Sequence, residues 1–536
     1  MNPKSTLTLV HMADGHAALG STLANTEKYR ALRSNGRKMI AESEAIFDRQ
    51  LQEVRRLRPD VLLLSGDLTK DGERLCHEAI ARKLGALKKD LPDLHICLCP
   101  GNHDINNPDG FNFRTGESMN SVTPEQFFDL YRETVFEDPG ILEHYHPETG
   151  QAGDGSYAAR PKEGFTILVL NSCCCTADVT FSREDRAEGH GLLTAPLMDW
   201  ALGQIQEADA RGDVVIGMMH HNLLPHYTLQ TVLTKQYLIS DWEAASAAFA
   251  DAGMHLIFTG HSHKQDVAKL VTKRGNAIFD IDSGAAVTFP SPMRSITVSG
   301  TPRQFQVRGE TIEHLDLHFK DTVEGWTRDI PDLTEYGRGK MMPPAKFRRK
   351  FGPRVPESLL QALARFPVAK GHTFLSYLNF LTGALADGCD HVQRPYWFRA
   401  ASRKFADGTM LDRMAETVAE QLHSESPENA LAALEDLLPA PFFAAGGLDP
   451  VNDVFQPILW NGAVPERPKR MMADFAQELV ESYCGSKTDF PDNDFNLHLS
   501  QDDRGAVNDG KTAPRLVSPN ADTAPYRALH DRVPDA

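Results

Sequence analysis

Short apolar runs recur from Leu7 to about Phe319, separated by longer stretches of mixed character. The runs at 7–10, 61–64, 96–98, 165–170, 214–219 and 256–258 have the length and composition of strands buried on both faces. Between them the apolar positions shift to helical spacing. Ile40, Phe47, Leu51 and Val54 fall on one face, as do Cys76, Ile80, Leu84, Leu87 and Leu91. Thr194 followed by Pro196 marks a helix start, with Leu197, Ala201, Ile205 and Ala208 along one side. This alternation predicts an α/β fold built on a central sheet covered on both faces, with sites gathered beyond the carboxyl ends of the strands.

After residue 258 the texture turns β-rich. Strands are expected at 268–271, 277–281 and 295–298, and in the alternation Ile312, His314, Leu315, Leu317, Phe319. These close a first domain over 1–330. Gly337, Gly339, Pro343, Pro344, Gly352, Pro353 and Pro356 break any periodicity in 331–356, which reads as a linker. Residues 357–485 read as mainly helical, with candidates at 359–363, 375–385, 410–422 and 472–483. From 486 to 536 the chain is rich in Asp, Asn, Pro and Ser and reads as a loosely ordered tail.

The candidate chemistry lies at the strand ends. The run 7–10 leads to Asp14-Gly15-His16, 61–64 to Ser65-Gly66-Asp67, and 96–98 to Gly101-Asn102-His103-Asp104. The run 214–219 leads to His220-His221, and 256–258 to Gly260-His261-Ser262-His263. Singly, Asp14, Asp67, Asn102 and His261 fit turn capping. Together they set Asp, Asn and His at one rim of a buried sheet, which costs free energy unless something coordinates them. Oxygen and imidazole donors without thiolates suit Mn²⁺, Fe or Zn²⁺ in an open, catalytic site rather than a closed structural zinc site.

Composition narrows the classes. The chain has 536 residues, 41% hydrophobic and 24% charged, an ordinary globular mix long enough for more than one domain. A net charge of −17 repels polyanions, so nucleic acid is a poor default partner. The basic, aromatic segment Lys346-Phe347-Arg348-Arg349-Lys350-Phe351 is more often a solvated linker than a strand-binding surface, yet it keeps a nuclease in view. Eight cysteines, three of them adjacent (Cys173, Cys174, Cys175), do not make a disulfide scaffold, and a reducing compartment fits best. No secretory segment opens the chain and no apolar run reaches the ~20 residues of a membrane span. A soluble, cytoplasmic protein without a membrane partner is expected. His221 reads equally as a substrate contact or a local hydrogen-bonder; His11 and His226 read as core or solvent positions rather than ligands.

In order and residue type the blocks resemble the calcineurin-like metallophosphoesterase superfamily, whose pattern is D-x-H, G-D, G-N-H-[DE], a single His, then G-H-x-H. Gly66-Asp67-Leu68-Thr69 with Gly72-Glu73, the stretch Gly101 to Pro108, and Met219-His220-His221-Asn222-Leu223-Leu224 resemble a bacterial, cyclic-nucleotide phosphodiesterase-like branch. A helical C-terminal domain often follows in that branch. The resemblance implies a four-layer α/β/β/α sandwich and two divalent metal ions. Asp14, His16 and His263 would hold one, Asn102, His220 and His261 the other, with Asp67 bridging. It implies that His103 faces the phosphoryl group, stabilising charge or protonating the leaving oxygen, with Asp104 orienting its imidazole. The expected activity is phosphodiester hydrolysis on cyclic nucleotides or other small diesters, by in-line attack of a metal-bound hydroxide. A nuclease or a phosphomonoesterase with the same centre is the alternative. A degenerate scaffold recruiting a partner protein through the helical region is the alternative outside enzymes.

Overall fold

The computed structural model describes residues 5–35, 38–147, 152–173, 189–226, 230–233, 235–288, 291–301 and 304–311, with Leu333, Tyr336 and a few short strands between 367 and 500. The expected strand at 312–319, the basic segment at 346–351, Cys174, Cys175 and the helical candidates of 357–485 lie outside the described residues.

The first three runs become β1 (Ser5–Met12), β2 (Val61–Leu64) and β3 (His95–Leu98). Helices α1 (Glu27–Asn35) and α2 (Ser43–Leu57) precede β2, and α3 (Arg74–Asp90) precedes β3. The pair β4 (Phe111–Asn112) and β5 (Glu117–Ser118) and helix α4 (Pro124–Tyr131) lead to β6 (Ile141–His144), β7 (Tyr157–Lys162) and β8 (Phe165–Val169). Then come α5 (Ala195–Arg211), β9 (Val214–Met218), α6 (Gln230–Leu233), α7 (Trp242–Ala252) and β10 (Leu256–Thr259). Strands β11 (Gln265–Val271), β12 (Ala277–Ser283), β13 (Arg294–Thr301) and β14 (Gln304–Thr311) follow. Farther on are two short antiparallel pairs, β15 (Pro367–Val368) with β16 (His372–Thr373) and β17 (Lys404–Phe405) with β18 (Gly408–Thr409), and finally β19 (Phe495–Ser500).

The α/β pattern holds, but the strands form two large mixed sheets rather than one central sheet. One has six strands in the order β19-β14-β13-β1-β2-β3, the other seven in the order β11-β12-β10-β9-β8-β7-β6. Parallel pairing joins β1, β2 and β3 at one end of the first sheet and β8, β9, β10 and β12 in the middle of the second. Burial explains the split. Ile167, Val169, Ile216, Met218, Phe258, Phe279 and Ile281 of the second sheet share one hydrophobic cluster with Leu7, Leu9, Met12, Leu62, Leu64, Ile296 and Val298 of the first. The opposite face of the second sheet, at Leu168, Leu170, Val215, Ile257 and Ile278, packs on Leu197, Ala201 and Ile205 of α5 and Ala245 and Phe249 of α7. Alternate residues of these strands of the second sheet thus face different cores, and a buried Leu, Ile or Phe contributes about 1.5–3 kcal/mol.

Helix starts and stops follow local chemistry. The Thr194 side chain accepts the Leu197 amide, Pro196 sits in the first turn and Gly212 ends α5 at φ 76°. Ile40, placed on a helical face by its spacing, instead lies in the turn before α2. Strand β19 falls in the stretch read as a tail and pairs antiparallel with β14. Leu333, at the head of the expected linker, is buried with Met39, Ile46 and Ala286, and the Tyr336 hydroxyl donates to Glu42 at 2.5 Å.

The chain divides into two compact units. One comprises Met1–His226, Gln236–Arg338 and Phe490–Ala536; the other comprises Tyr227–Lys235 and Gly339–Asp489. All the candidate site residues belong to the first. Among the described residues no helix is long and apolar enough to cross a membrane.

Candidate metal centre

The loops after β1 and β2 run side by side. Asp14 N donates to Gly66 O at 3.2 Å, His16 N to Asp67 O at 2.8 Å and Ala17 N to Leu68 O at 2.7 Å. The second sheet is tied in by His261 N, which donates to Asp14 Oδ2 at 2.9 Å, and by His220 Nδ1, 2.8 Å from Ser65 O. Ends of strands from both sheets therefore meet at one rim.

Two groups of ligating side chains stand there, Asp14, His16, Asp67 and His263, and Asp67, His220 and His261, with the donor atoms of each group within 4.8 Å of one another. Asp67 belongs to both. His16 Nε2 is 3.4 Å from Asp67 Oδ2, and His263 Nε2 is 3.4 Å from Asp14 Oδ1. Asn102 Oδ1 lies 3.0 Å from His220 Nε2, which is 3.0 Å from His261 Nδ1. All seven residues expected as ligands are thus brought together.

The backbone is strained where these side chains converge. Asp14, His16, Asp67, His261 and His263 all have left-handed φ, between 37° and 67°, a conformation that costs on the order of 1–3 kcal/mol per non-glycine residue and gathers at functional sites. The glycines of the blocks leave room for close approach. A Cβ on Gly260 would stand 2.5 Å from Asp14 Oδ2, and one on Gly101 would strike Asp67.

The donor set fits cations. Asp67 Oδ2 is buried and accepts no hydrogen bond among the described residues, an arrangement that costs free energy without a positive partner. His16 Nε2 and His263 Nε2 approach to 3.1 Å, which two imidazolium cations would not tolerate. Burial, then the Lys38 ammonium, holds His16 well below the ordinary imidazole range. Burial and the neighbouring His221 and His220 rings do the same to His261, and burial lowers His263 against the pull of Asp14. Burial opposes ionisation of Asp14, but His263, His220 and the His261 amide together outweigh it and keep this carboxyl below its usual value. Neutral rings with converging lone pairs beside ionised carboxylates are metal-binding chemistry. The remaining ring nitrogens fix the tautomers: His220 Nδ1 donates to Ser65 O, and His261 Nε2 to Gly189 O at 3.1 Å, so His220 Nε2 and His261 Nδ1 carry the lone pairs.

His103 stands beside this cluster, its ring edge-on to His16 with centroids 4.8 Å apart and its amide donating to Asp67 Oδ1 at 2.8 Å. Asp104 does not orient it. The Asp104 carboxylate accepts the amides of Leu68, Thr69 and Gly101 at 2.9–3.1 Å and the Thr69 hydroxyl at 3.0 Å, so it staples the loops after β2 and β3 together. The carboxylate beside His103 is Asp71, whose Oδ1 is 2.9 Å from His103 Nδ1. Asp71 in turn pairs with Lys70, which reaches Glu73 at 3.0 Å. Burial and Lys38 depress the His103 imidazole, but Asp67 and Asp71 prevail and raise its pKa. Asp71 and Lys38, whose Nζ is 2.9 Å from His16 Nε2, were missed in the sequence; Asp71 sits inside the block from Gly66 to Glu73 and is the signal that was there to find.

The other histidines sort cleanly. His11 is buried, its nitrogens 2.6 Å from Ser283 Oγ and 2.9 Å from Ser65 Oγ, and burial drives its pKa down to about 3. His221 hydrogen-bonds locally, its Nδ1 2.9 Å from Ser172 Oγ, and packs its ring on His261 at 4.5 Å. His226 is buried in ion pairs with Asp266 at 2.6 Å and Asp280 at 3.4 Å. Cys173 is buried, its thiol donating to Pro100 O at 3.4 Å.

No curated protein matches the chain. Among solved structures it is similar to a dimetal phosphatase from Danio rerio, 14% identical, over 57% of this chain and 98% of that one, with a TM-score of 0.38. Residues 7–265 match the family model described as calcineurin-like phosphoesterase, and this stretch contains every ligand block from Asp14 to His263. Over this stretch, just under half of the chain, the protein is similar to calcineurin-like phosphoesterases.

Proposed function

We propose that this domain is a phosphodiesterase acting on cyclic nucleotides or other small diesters at a two-cation centre. Asp14, His16 and His263 would hold one ion and Asn102, His220 and His261 the other, with Asp67 shared. The observation that carries this reading is the position of Asp67 in both ligand groups, with a buried oxygen that accepts no hydrogen bond among the described residues. Oxygen and imidazole donors suit Mn²⁺, Fe or Zn²⁺. A bound pair of such ions supplies charge to phosphoryl oxygens and makes water acidic enough to attack at neutral pH.

The chain's own residues do the rest. His103, with Nδ1 engaged by Asp71, has Nε2 left to donate a proton to the leaving oxygen or a hydrogen bond to a phosphoryl oxygen. Asp104 keeps Gly101, Leu68 and Thr69 in place, and so holds Asp67 against Asn102. The finer reading extends to the four-layer sandwich, supported by the cluster shared between the sheets, to the bacterial cyclic-nucleotide branch and to a helical C-terminal domain. It also extends to a cytoplasmic setting, supported by the buried thiols Cys76, Cys97 and Cys99, which form no disulfide.

Hydrolysis of bis(p-nitrophenyl) phosphate with added Mn²⁺ tests the reaction: the wild type turns over and Asp67→Ala loses at least about 10³-fold. Equal rates for the two overturn it. Comparison of cyclic nucleotides, single-stranded DNA and phosphomonoesters then tests the substrate class; preference for DNA or for monoesters replaces the diesterase reading with the nuclease or the monoesterase.

A further inference from the structure

One short loop after β10 carries a candidate ligand for each cation, His261 and His263, and both are in left-handed backbone, at φ 67° and 59°. Besides Asp14, which accepts the His261 amide, this strained loop is held by groups that are not themselves ligating. Ser262, between the two histidines, donates its hydroxyl to Asp282 Oδ2 at 2.6 Å. The same Oδ2 accepts Asn222 Nδ2 at 3.1 Å, and Asn222 Nδ2 also donates to Gly260 O at 3.0 Å, just before the first histidine. Asp282 Oδ1 accepts Gly284 N at 2.8 Å. Both Asp282 and Asn222 have no solvent exposure. A buried carboxyl group at the end of β12 is thus joined to the loop bearing His261 and His263 and, through Asn222, to the loop bearing His220.

On the reading of these histidines as ligands, we infer that Asp282 is a positioning residue for the metal centre, clamping through Ser262 and Asn222 the loop that supplies one imidazole to each cation. The clamp sets the left-handed turn before any ion arrives. Released, the loop relaxes toward ordinary backbone angles and the two imidazoles leave their ligating positions together. Partners of this kind, one bond removed from the ligands, typically change metal affinity 10–100-fold. Because His263 faces Asp14 and His261 faces His220, loss of the clamp weakens both sites, unlike loss of a single ligand.

The test is a Mn²⁺ titration of the metal-stripped full-length chain, with free Mn²⁺ read from its electron paramagnetic resonance signal, beside thermal unfolding of the metal-free proteins. Ser262→Ala removes the hydroxyl donor, Ser262→Thr retains it, and Asp282→Ala removes the acceptor. The wild type is expected to take up two Mn²⁺ per chain. Ser262→Ala is expected to bind both about 10–100-fold more weakly with an unchanged metal-free melting temperature, and Ser262→Thr to bind like the wild type. Wild-type affinity in Ser262→Ala overturns the clamp while leaving the metal centre standing, even if Asp282→Ala binds weakly by unfolding. Failure of the wild type to take up Mn²⁺ overturns both.

Discussion

His226 is a buried charge held between two carboxylates outside the metal centre. Burial works against its cationic form, but Asp280 and Asp266 outweigh burial and raise its pKa from 6.5 to about 10, so it is an imidazolium at neutral pH. His226→Gln would leave two buried carboxylates without that cation. At about 1.4 kcal/mol per tenfold, a rise of this size corresponds to about 5 kcal/mol, and breaking a buried ion pair by removing one partner costs about 3–5 kcal/mol. Asp280 retains the amides of Leu223 at 2.7 Å and Leu224 at 2.9 Å and the Thr259 hydroxyl at 2.6 Å, which places the expected loss at the lower end, about 3 kcal/mol. For a domain of this size that is a fall of about 6–12 °C in melting temperature. The pH dependence has a definite sign. A folded pKa above the unfolded one gives stability that is complete below pH 6.5 and lost as pH rises toward about 10. Thermal unfolding of the full chain and of His226→Gln across pH 6 to 10 should therefore show a gap that closes as pH rises. A gap below about 1 kcal/mol at pH 6, or one independent of pH, would refute a buried imidazolium here.

Two other substitutions probe the site. Asp71→Asn should lower kcat about 10–100-fold with little change in KM, because His103 loses the carboxylate on Nδ1 and not its place in the loop; an Asp104 variant with an intact melting temperature and the larger kcat loss would reverse that assignment. Gly260→Ala puts a methyl 2.5 Å from Asp14 Oδ2 and 3.0 Å from the Ala13 methyl, so Mn²⁺ affinity should fall at least about 10-fold while circular dichroism stays native; wild-type affinity would show that the loop gives way freely.

Strands that make continuous apolar runs were legible because burial on both faces leaves no polar position within them, as in Val61-Leu62-Leu63-Leu64. The last two strands at one end of the second sheet were not. In β6 only the ends, Ile141 and His144, are partly buried, and β7 runs out of the core at Arg160, Pro161 and Lys162, so neither presents a run. Helix α7 escaped because its buried face is mostly alanine, too weakly apolar to make a stripe. The division into two sheets is a matter of which strands pair, and runs along the chain carry no record of pairing. Ligands were legible because each lies within a few residues of a strand end, where chain direction fixes its place. The partner of His103 was not: Asp71 and Asp104 are both near in sequence, and only the course of the loops decides that Asp104 turns inward to amides while Asp71 meets the imidazole.

The decisive observation is the number and place of the cations. In crystals grown with Mn²⁺, anomalous scattering should give two peaks about 3.5–4 Å apart, one among Asp14, His16 and His263 and one among Asn102, His220 and His261, with Asp67 touching both. A single peak elsewhere, or no peak within reach of Asp67 at saturating Mn²⁺, would contradict a two-cation centre in this domain.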